Sequence, residues 1–438
     1  MGGTYSGPLQ DLQTIIDYNS DPKTAGIAAA NGSNANQVAI ARILKNFLFW
    51  YTTDRWGDVP YSEALKGAAN TAPKFDLQED IYFGMIADLK AAITTIDNGG
   101  PIKGDIIYAG NMLAWKKLAN SMRMMMAMRL TKRYPAAGGK AAVEFADAAN
   151  ASGGFISSNA DNFTLSFPGG SFRNTWYLTY ETRDDYASSK TLGDVLSGLG
   201  DTRSSVYGTN SIMFPYGLLR ADAVAYGNSV GNGQSRVLFQ DPLNPSNPKN
   251  KRNENSPIFI IPAAIVMLAR AEAYERGWMP GGVNSALAEA DYNTAIGLSY
   301  AQWGVAMPAG YLLGAANYQT GAGVAAAPGS GGIGAAPAPY DNFRVASNNV
   351  QDALTPTKLA RIALQHWIAA FPNGTEAWAE QRRTGVPNLK TTRFATGTFV
   401  RRYVYGVNDY NFNNTQTKAA AARISGGDVQ EGRVWWDN

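Results

Sequence analysis

The chain has 438 residues, 45% hydrophobic and 17% charged, which is enough for a large buried core. Its 38 basic and 35 acidic residues leave a net charge of +3, without the clustered basic face of a nucleic-acid or anionic-membrane binder. One histidine and no cysteine exclude thiol chemistry and most transition-metal sites, and no apolar run approaches the ~18 residues of a membrane span.

Met1-Gly2-Gly3-Thr4 has neither the charged start nor the apolar stretch of a secretory signal. The first strong periodicity comes later. Ile40, Ile43, Leu44, Phe47, Leu48 and Tyr51 share one face of a helix that should stop at Trp56-Gly57-Asp58-Val59-Pro60. Tyr82, Met85, Ile86, Leu89, Ile93 and Ile96 form a second stripe, closed by Asn98-Gly99-Gly100-Pro101. Trp115, Leu118, Ala119, Met122 and Met126 form a third, ending before Pro135, and a shorter helix is expected over 140–151.

From 155 to 257 the period dissolves into Gly, Asn, Asp, Ser and Pro, which predicts mostly loop, a few short strands and one helix near 192–199. A structureless stretch this long is unusual in a compact protein and is commonly functional. Helical signal returns at 263–276 and 286–298. Residues 321–339 contain only Gly, Ala, Pro, Ser, Val and Ile, too little side-chain volume for a core. A helix then runs through Leu359, Ile362, His366, Trp367 and Phe371, apolar on two sides, and the aromatic, Asn-rich final segment should wrap the surface. Sequential helix pairs joined by short turns suggest stacked helical hairpins, although no strict repeat length exists.

Few side chains offer catalysis. Gly227-Asn228-Ser229-Val230-Gly231 matches the G-x-S-x-G elbow, but lacks a following helix and an accessible histidine base. Glu376 and Glu380 lie one helical turn apart, yet Arg382 and Arg383 follow at once, so ion pairs orienting a helix end explain them better than a glycosidase pair. Asp184-Asp185 is the other carboxylate option. His366 has no second nitrogen or thiolate ligand to join it, and Met122, Met124, Met125, Met126 and Met128 read as core filling. No cofactor is expected; structural calcium is chemically possible, but no EF-hand loop is present.

Aromatic density is the stronger signal. Phe172, Trp176, Tyr177, Tyr180 and Tyr186 put five rings into fifteen residues, where the chain-wide 11% would give about 1.7. Polar neighbours (Arg173, Asn174, Glu181, Arg183, Asp184) separate them. Flat faces beside amide and charged groups suit a sugar ring or an extended peptide, and equally could anchor a long loop to its scaffold.

Several motifs carry a family resemblance. Asp54-Arg55-Trp56-Gly57-Asp58-Val59-Pro60-Tyr61-Ser62-Glu63-Ala64 resembles the SusD/RagB family of nutrient-binding outer-membrane lipoproteins. So do Gly104-Asp105-Ile106-Ile107-Tyr108 leading into Trp115-Lys116-Lys117-Leu118-Ala119-Asn120-Ser121, with Arg123 and Arg129. Ala271-Glu272-Ala273, Arg276-Gly277-Trp278 and His366-Trp367-Ile368-Ala369 continue it, although lysine is commoner in the family at His366. Glu376-Ala377-Trp378-Ala379-Glu380-Gln381-Arg382-Arg383-Thr384-Gly385-Val386-Pro387, Arg401-Arg402-Tyr403 and Arg433-Val434-Trp435-Trp436-Asp437 complete the order.

The resemblance implies a mainly α fold: a tetratricopeptide-like helical-hairpin scaffold with a long loop-rich ligand-binding region and a few short strands. Over one domain, 1–438, the scaffold would occupy about 1–152, 258–300 and 355–390, the binding region about 153–257 and 301–354, and the wrapping segment about 391–438. It further implies a non-catalytic surface lipoprotein of the outer membrane that captures oligosaccharides, or alternatively peptides, and passes them to a SusC-type TonB-dependent transporter. The family's signal peptide and lipidated cysteine are not among these residues, so the anchor is expected to lie outside this sequence. The family has no fixed ligand motif, so site residues come from composition and position. Trp176, Tyr177 and Tyr180 are expected as stacking platforms, with Asn174 and Asp184 as hydrogen-bonding partners and Tyr318, Tyr340 and Asp341 as further contributors.

Overall fold

Helices in this protein start where a short polar side chain can take up orphaned backbone N–H groups. Ser33 accepts from the Asn36 amide, Asn111 from those of Leu113 and Ala114, Asn284 from Leu287 and Asn373 from Glu376. A computed structural model describes the chain apart from residues 1, 98, 101, 183–185, 209–211, 216–217, 232–234, 236, 238–253, 315, 317–356, 388 and 390–398. The described residues are mainly α-helical, with two small antiparallel strand pairs, and pack into two compact units: 1–156 with 399–438, and 157–398.

The first unit contains α1 (Gln10–Ser20), α2 (Asn34–Trp56), α3 (Gln78–Thr95), α4 (Met112–Arg129) and α5 (Lys140–Ala149). Neighbouring helices pack as hairpins, α1 on α2, α2 on α3 and α4 on α5, in the tetratricopeptide manner. The α3 stripe is buried as expected, with Tyr82, Met85 and Leu89 fully covered, and all five clustered methionines of α4 lie in the core. The buried face of α2 differs from the apolar stripe. Asn36, Ala39, Ile43, Asn46, Trp50 and Thr53 point inward while Tyr51 is exposed. Polar contacts set this rotation: the Asn46 amide donates to Asp88 at 2.6 Å and that of Asn36 to Asp97 at 2.9 Å.

Gly57 ends α2 at φ +86, which opens the turn into β1 (Val59–Pro60), paired with β2 (Phe75–Asp76). The C-terminal segment does more than wrap this unit. Trp436, Asp437 and Arg402 are completely buried in it, and Ala420 of the helix Asn414–Ala422 packs with Phe75 and Tyr405. Its buried groups come from far along the chain and show no helical period, so pattern reading missed them.

The second unit pairs β3 (Phe163–Leu165) with β4 (Ile258–Ile261), with an irregularity between Phe163 and Thr164. Between them lie α6 (Thr175–Thr182), α7 (Lys190–Leu199) and α8 (Arg220–Ser229). Only α7 was expected; α6 and α8 span 8 and 10 residues and carry no apolar stripe at helical spacing, so their periodicity does not stand above the background. Beyond β4, α9 (Ala263–Glu275) packs against α10 (Ser285–Trp303) and α11 (Lys358–Ala369), and α11 against α12 (Gly374–Thr384).

Candidate functional site

The aromatic segment forms in three steps. Phe172 closes a tight turn with Gly169, each backbone N–H donating to the other's carbonyl at 3.1 and 3.2 Å. Gly169 sits at φ +88, and a Cβ there would meet the Asn255 amide oxygen at 2.9 Å and the Glu254 carboxylate at 3.1 Å. Only glycine permits both the conformation and the approach. Asn174 then fixes the segment to residues 254–256: its backbone N–H donates to the Glu254 carbonyl at 2.9 Å and its amide to the Ser256 carbonyl at 2.8 Å.

The Asn174 Oδ1 accepts from the backbone amides of Trp176 at 2.8 Å and Tyr177 at 3.1 Å, so it caps the first turn of α6. Asn174, expected as a hydrogen-bonding partner of the ligand, is completely buried, and its side chain bonds the backbone of its own unit. Its contribution to a site is to position the two rings that follow.

Trp176 and Tyr177 are half-buried, and Phe172 and Tyr186 are exposed at 45% and 44%. Tyr180 is the exception at 6%. Its hydroxyl donates to the Tyr186 carbonyl at 3.3 Å and accepts from the Val237 amide at 3.0 Å. Its ring lies parallel to Trp176 with centroids 6.3 Å apart, as an i, i+4 pair allows. Tyr180, expected as a stacking platform, is thus buried and backs the Trp176 indole.

Arg173 ties the outer face together. Its guanidinium sits 5.7 Å from the Tyr177 centroid and bonds Glu181 at 2.6 Å, with the pair about one-third exposed. The arrangement presents aromatic faces next to a charged, solvent-accessible pair, which can hold a ring by stacking and orient its hydroxyls by hydrogen bonds. Phe172 and Tyr186, omitted from the expected contacts, are more exposed than Tyr177 and Tyr180. Their flanking turn residues were the available signal. Asp184, Tyr318, Tyr340 and Asp341 lie outside the described residues.

The Ser229 motif and the carboxylates of α12 serve the fold, while Asp184-Asp185 lies outside the described residues. Ser229 ends α8, and its hydroxyl donates to the Tyr226 carbonyl at 2.8 Å, so no strand-to-helix elbow exists there. His366 is 3% exposed, 3.5 Å from Glu376 and 3.9 Å from Glu380. Arg383 spans two carboxylates, bonding Glu272 at 2.7 and 2.6 Å and Glu380 at 2.6 and 3.0 Å, and Arg276 adds a bond to Glu272 at 2.7 Å. Burial alone would raise the Glu272 pKa, but Arg383 and Arg276 override it and hold it down at about 2. These groups brace α9 against α12. Among the described residues no group of three or more His, Asp or Glu side chains is placed to hold a metal ion, and no helix is long and apolar enough to cross a membrane.

Residues 2–406 match the SusD-like sequence family, described as "Starch-binding associating with outer membrane". Among solved structures, the chain is similar to a chitin-binding protein at 25% identity and TM-score 0.72, covering 100% of this chain and 86% of that one. A chitin-binding SusD homolog from Flavobacterium johnsoniae shows the same fold at 24% identity and TM-score 0.73, covering 99% and 85%. So does a SusD homolog from Bacteroides uniformis at 24% identity and TM-score 0.77, covering 99% and 86%. No curated protein matches the chain.

Proposed function

Because the chain belongs to the SusD-like family, whose members are non-catalytic nutrient-capture proteins of the outer-membrane surface, we propose that its captured nutrient is an oligosaccharide held on the aromatic face of α6. The saccharide would pass, without chemical conversion, to a SusC-type TonB-dependent transporter, the kind of partner with which this family typically pairs. One observation carries the reading: Trp176 and Tyr177 keep accessible faces on a helix whose start is fixed by a buried asparagine cap. Phe172, Tyr186 and the Arg173–Glu181 pair complete a surface with both stacking and hydrogen-bonding groups. Two structurally similar proteins are described as chitin-binding, which supports a glycan over a peptide. Asp184, Tyr318, Tyr340 and Asp341 remain proposed contributors.

Trp176→Ala is expected to weaken binding of a chitin hexasaccharide or a maltohexaose by ~1–3 kcal/mol in calorimetry. The melting temperature should hardly move, because the indole is only half covered. An unchanged affinity would remove Trp176 from the site. Binding of peptides from a random library, with no response to either hexasaccharide, would replace the glycan with the peptide reading.

A further inference from the structure

The first unit holds a cleft of about 300 Å³ that the aromatic helix does not touch, lined by Trp56, Trp435, Arg133, Arg423, Arg433 and Glu79 among others. This volume is at the small end of ligand pockets, ~300–1,000 Å³. Three guanidiniums among its lining residues need an account. Arg423 has one: it bonds Asp58 at 2.5 Å and the Phe75 carbonyl at 3.1 Å.

Arg133 is different. It is exposed, and among the described residues its guanidinium makes no hydrogen bond or ion pair; it lies 5.2 Å from the Trp435 centroid. Glu79, a carboxylate that also lines the cleft, accepts from the Tyr134 hydroxyl. Arg433 has only a share of an anion. It donates to the Asp437 carbonyl at 3.0 Å and reaches the Asp437 carboxylate only at 3.5 Å, whereas that carboxylate is already held by Arg401 through two bonds of 2.6 Å and by Lys132 at 2.7 Å. Three cations thus crowd one buried carboxylate. Burial pulls the Lys132 ammonium below its ordinary value, and Arg401 and Arg433 add to that pull against Asp437.

We propose that this cleft is a second saccharide site selective for an acidic sugar, a uronate whose carboxylate pairs with Arg133 and Arg433 while its ring lies against the Trp435 and Trp56 indoles. Guanidinium is suited to this because its planar fork matches a carboxylate and is weakly hydrated. The indoles favour a ring-bearing anion over a bare one, since a small inorganic ion gains nothing from their faces. The site belongs to a different unit from the α6 surface, so it stands or falls separately from the oligosaccharide reading.

Calorimetry with trigalacturonate, maltotriose and inorganic phosphate tests it on the whole chain. Trigalacturonate is expected to bind more tightly than either control, with an affinity that falls as salt rises. Arg133→Ala should weaken it about tenfold and Arg433→Ala several-fold, with maltotriose binding unchanged. Both arginines are exposed, so the fold should survive, and circular dichroism would check that. Trigalacturonate affinity unaffected by either substitution would overturn the proposal. Phosphate binding as tight as trigalacturonate would overturn the assignment to a sugar.

Discussion

Arg383→Ala is expected to lower the unfolding free energy by about 3–5 kcal/mol, read from urea or thermal denaturation. The guanidinium is 1% exposed and satisfies four oxygens on two carboxylates that are themselves almost fully buried. Removing it takes two charge-assisted bonds from Glu380 and two from Glu272, which keeps its bond to Arg276. An uncompensated buried charge costs far more than the intact cluster contributes. A triple variant, Arg383→Met with Glu272→Leu and Glu380→Leu, removes every charge together and should be less destabilised than the single change. Equal stability of Arg383→Ala and the wild type would show that the cluster does not brace α9 against α12.

The same cluster sets an acid limb. The Glu272 carboxyl is depressed from 4.5 to about 2 in the folded protein. Its contribution is therefore complete above pH 4.5 and is lost as the pH falls from there towards 2, because the unfolded chain takes up the proton first. Denaturation midpoints measured across that window should decline, and a flat profile would contradict the assignment.

Trp436→Ala should cost about 3–5 kcal/mol for the volume lost, since the indole is fully buried. The ring also closes a polar network. Its Nε1–H donates to Asp54 at 2.9 Å, its backbone N–H to the Gln78 side chain at 3.3 Å, and the Arg129 guanidinium lies 5.5 Å from its centroid. Asp54 also accepts from the Tyr82 hydroxyl, which in turn accepts from the Trp50 indole at 3.1 Å. Trp436→Phe keeps most of the volume and removes the donor, so its cost should fall between wild type and alanine. A loss below 1 kcal/mol for alanine, on the scale of an exposed site, would show that this terminal segment is dispensable.

Much of the scaffold was legible because helical period and chain punctuation are local. The α3 stripe from Tyr82 to Ile93, the methionine-rich α4 and the arginine pair of α12 could be read from spacing alone. The α2 stripe misled because Asn36 and Asn46 turn inward to meet Asp97 and Asp88, and no hydrophobicity pattern marks a polar residue that finds a buried partner. For the candidate site, composition located the segment but did not sort its side chains. Asn174 and Trp176 look equally available in a string of letters, yet one is completely buried as a cap and the other keeps an open face.

Residue order alone was enough to read a helical-hairpin scaffold with an aromatic-rich interruption, a place among nutrient-capture proteins, and the lack of residues for thiol chemistry. Those properties follow from residue counts, periodicity and ordered motifs, which survive without coordinates. Folding was needed to show which rings are exposed, that Tyr180 backs Trp176, and that Arg133 shares a cleft with two indoles contributed from positions 56 and 435. Exposure and pairing depend on which distant segments meet, and that information exists only once the chain has folded back on itself.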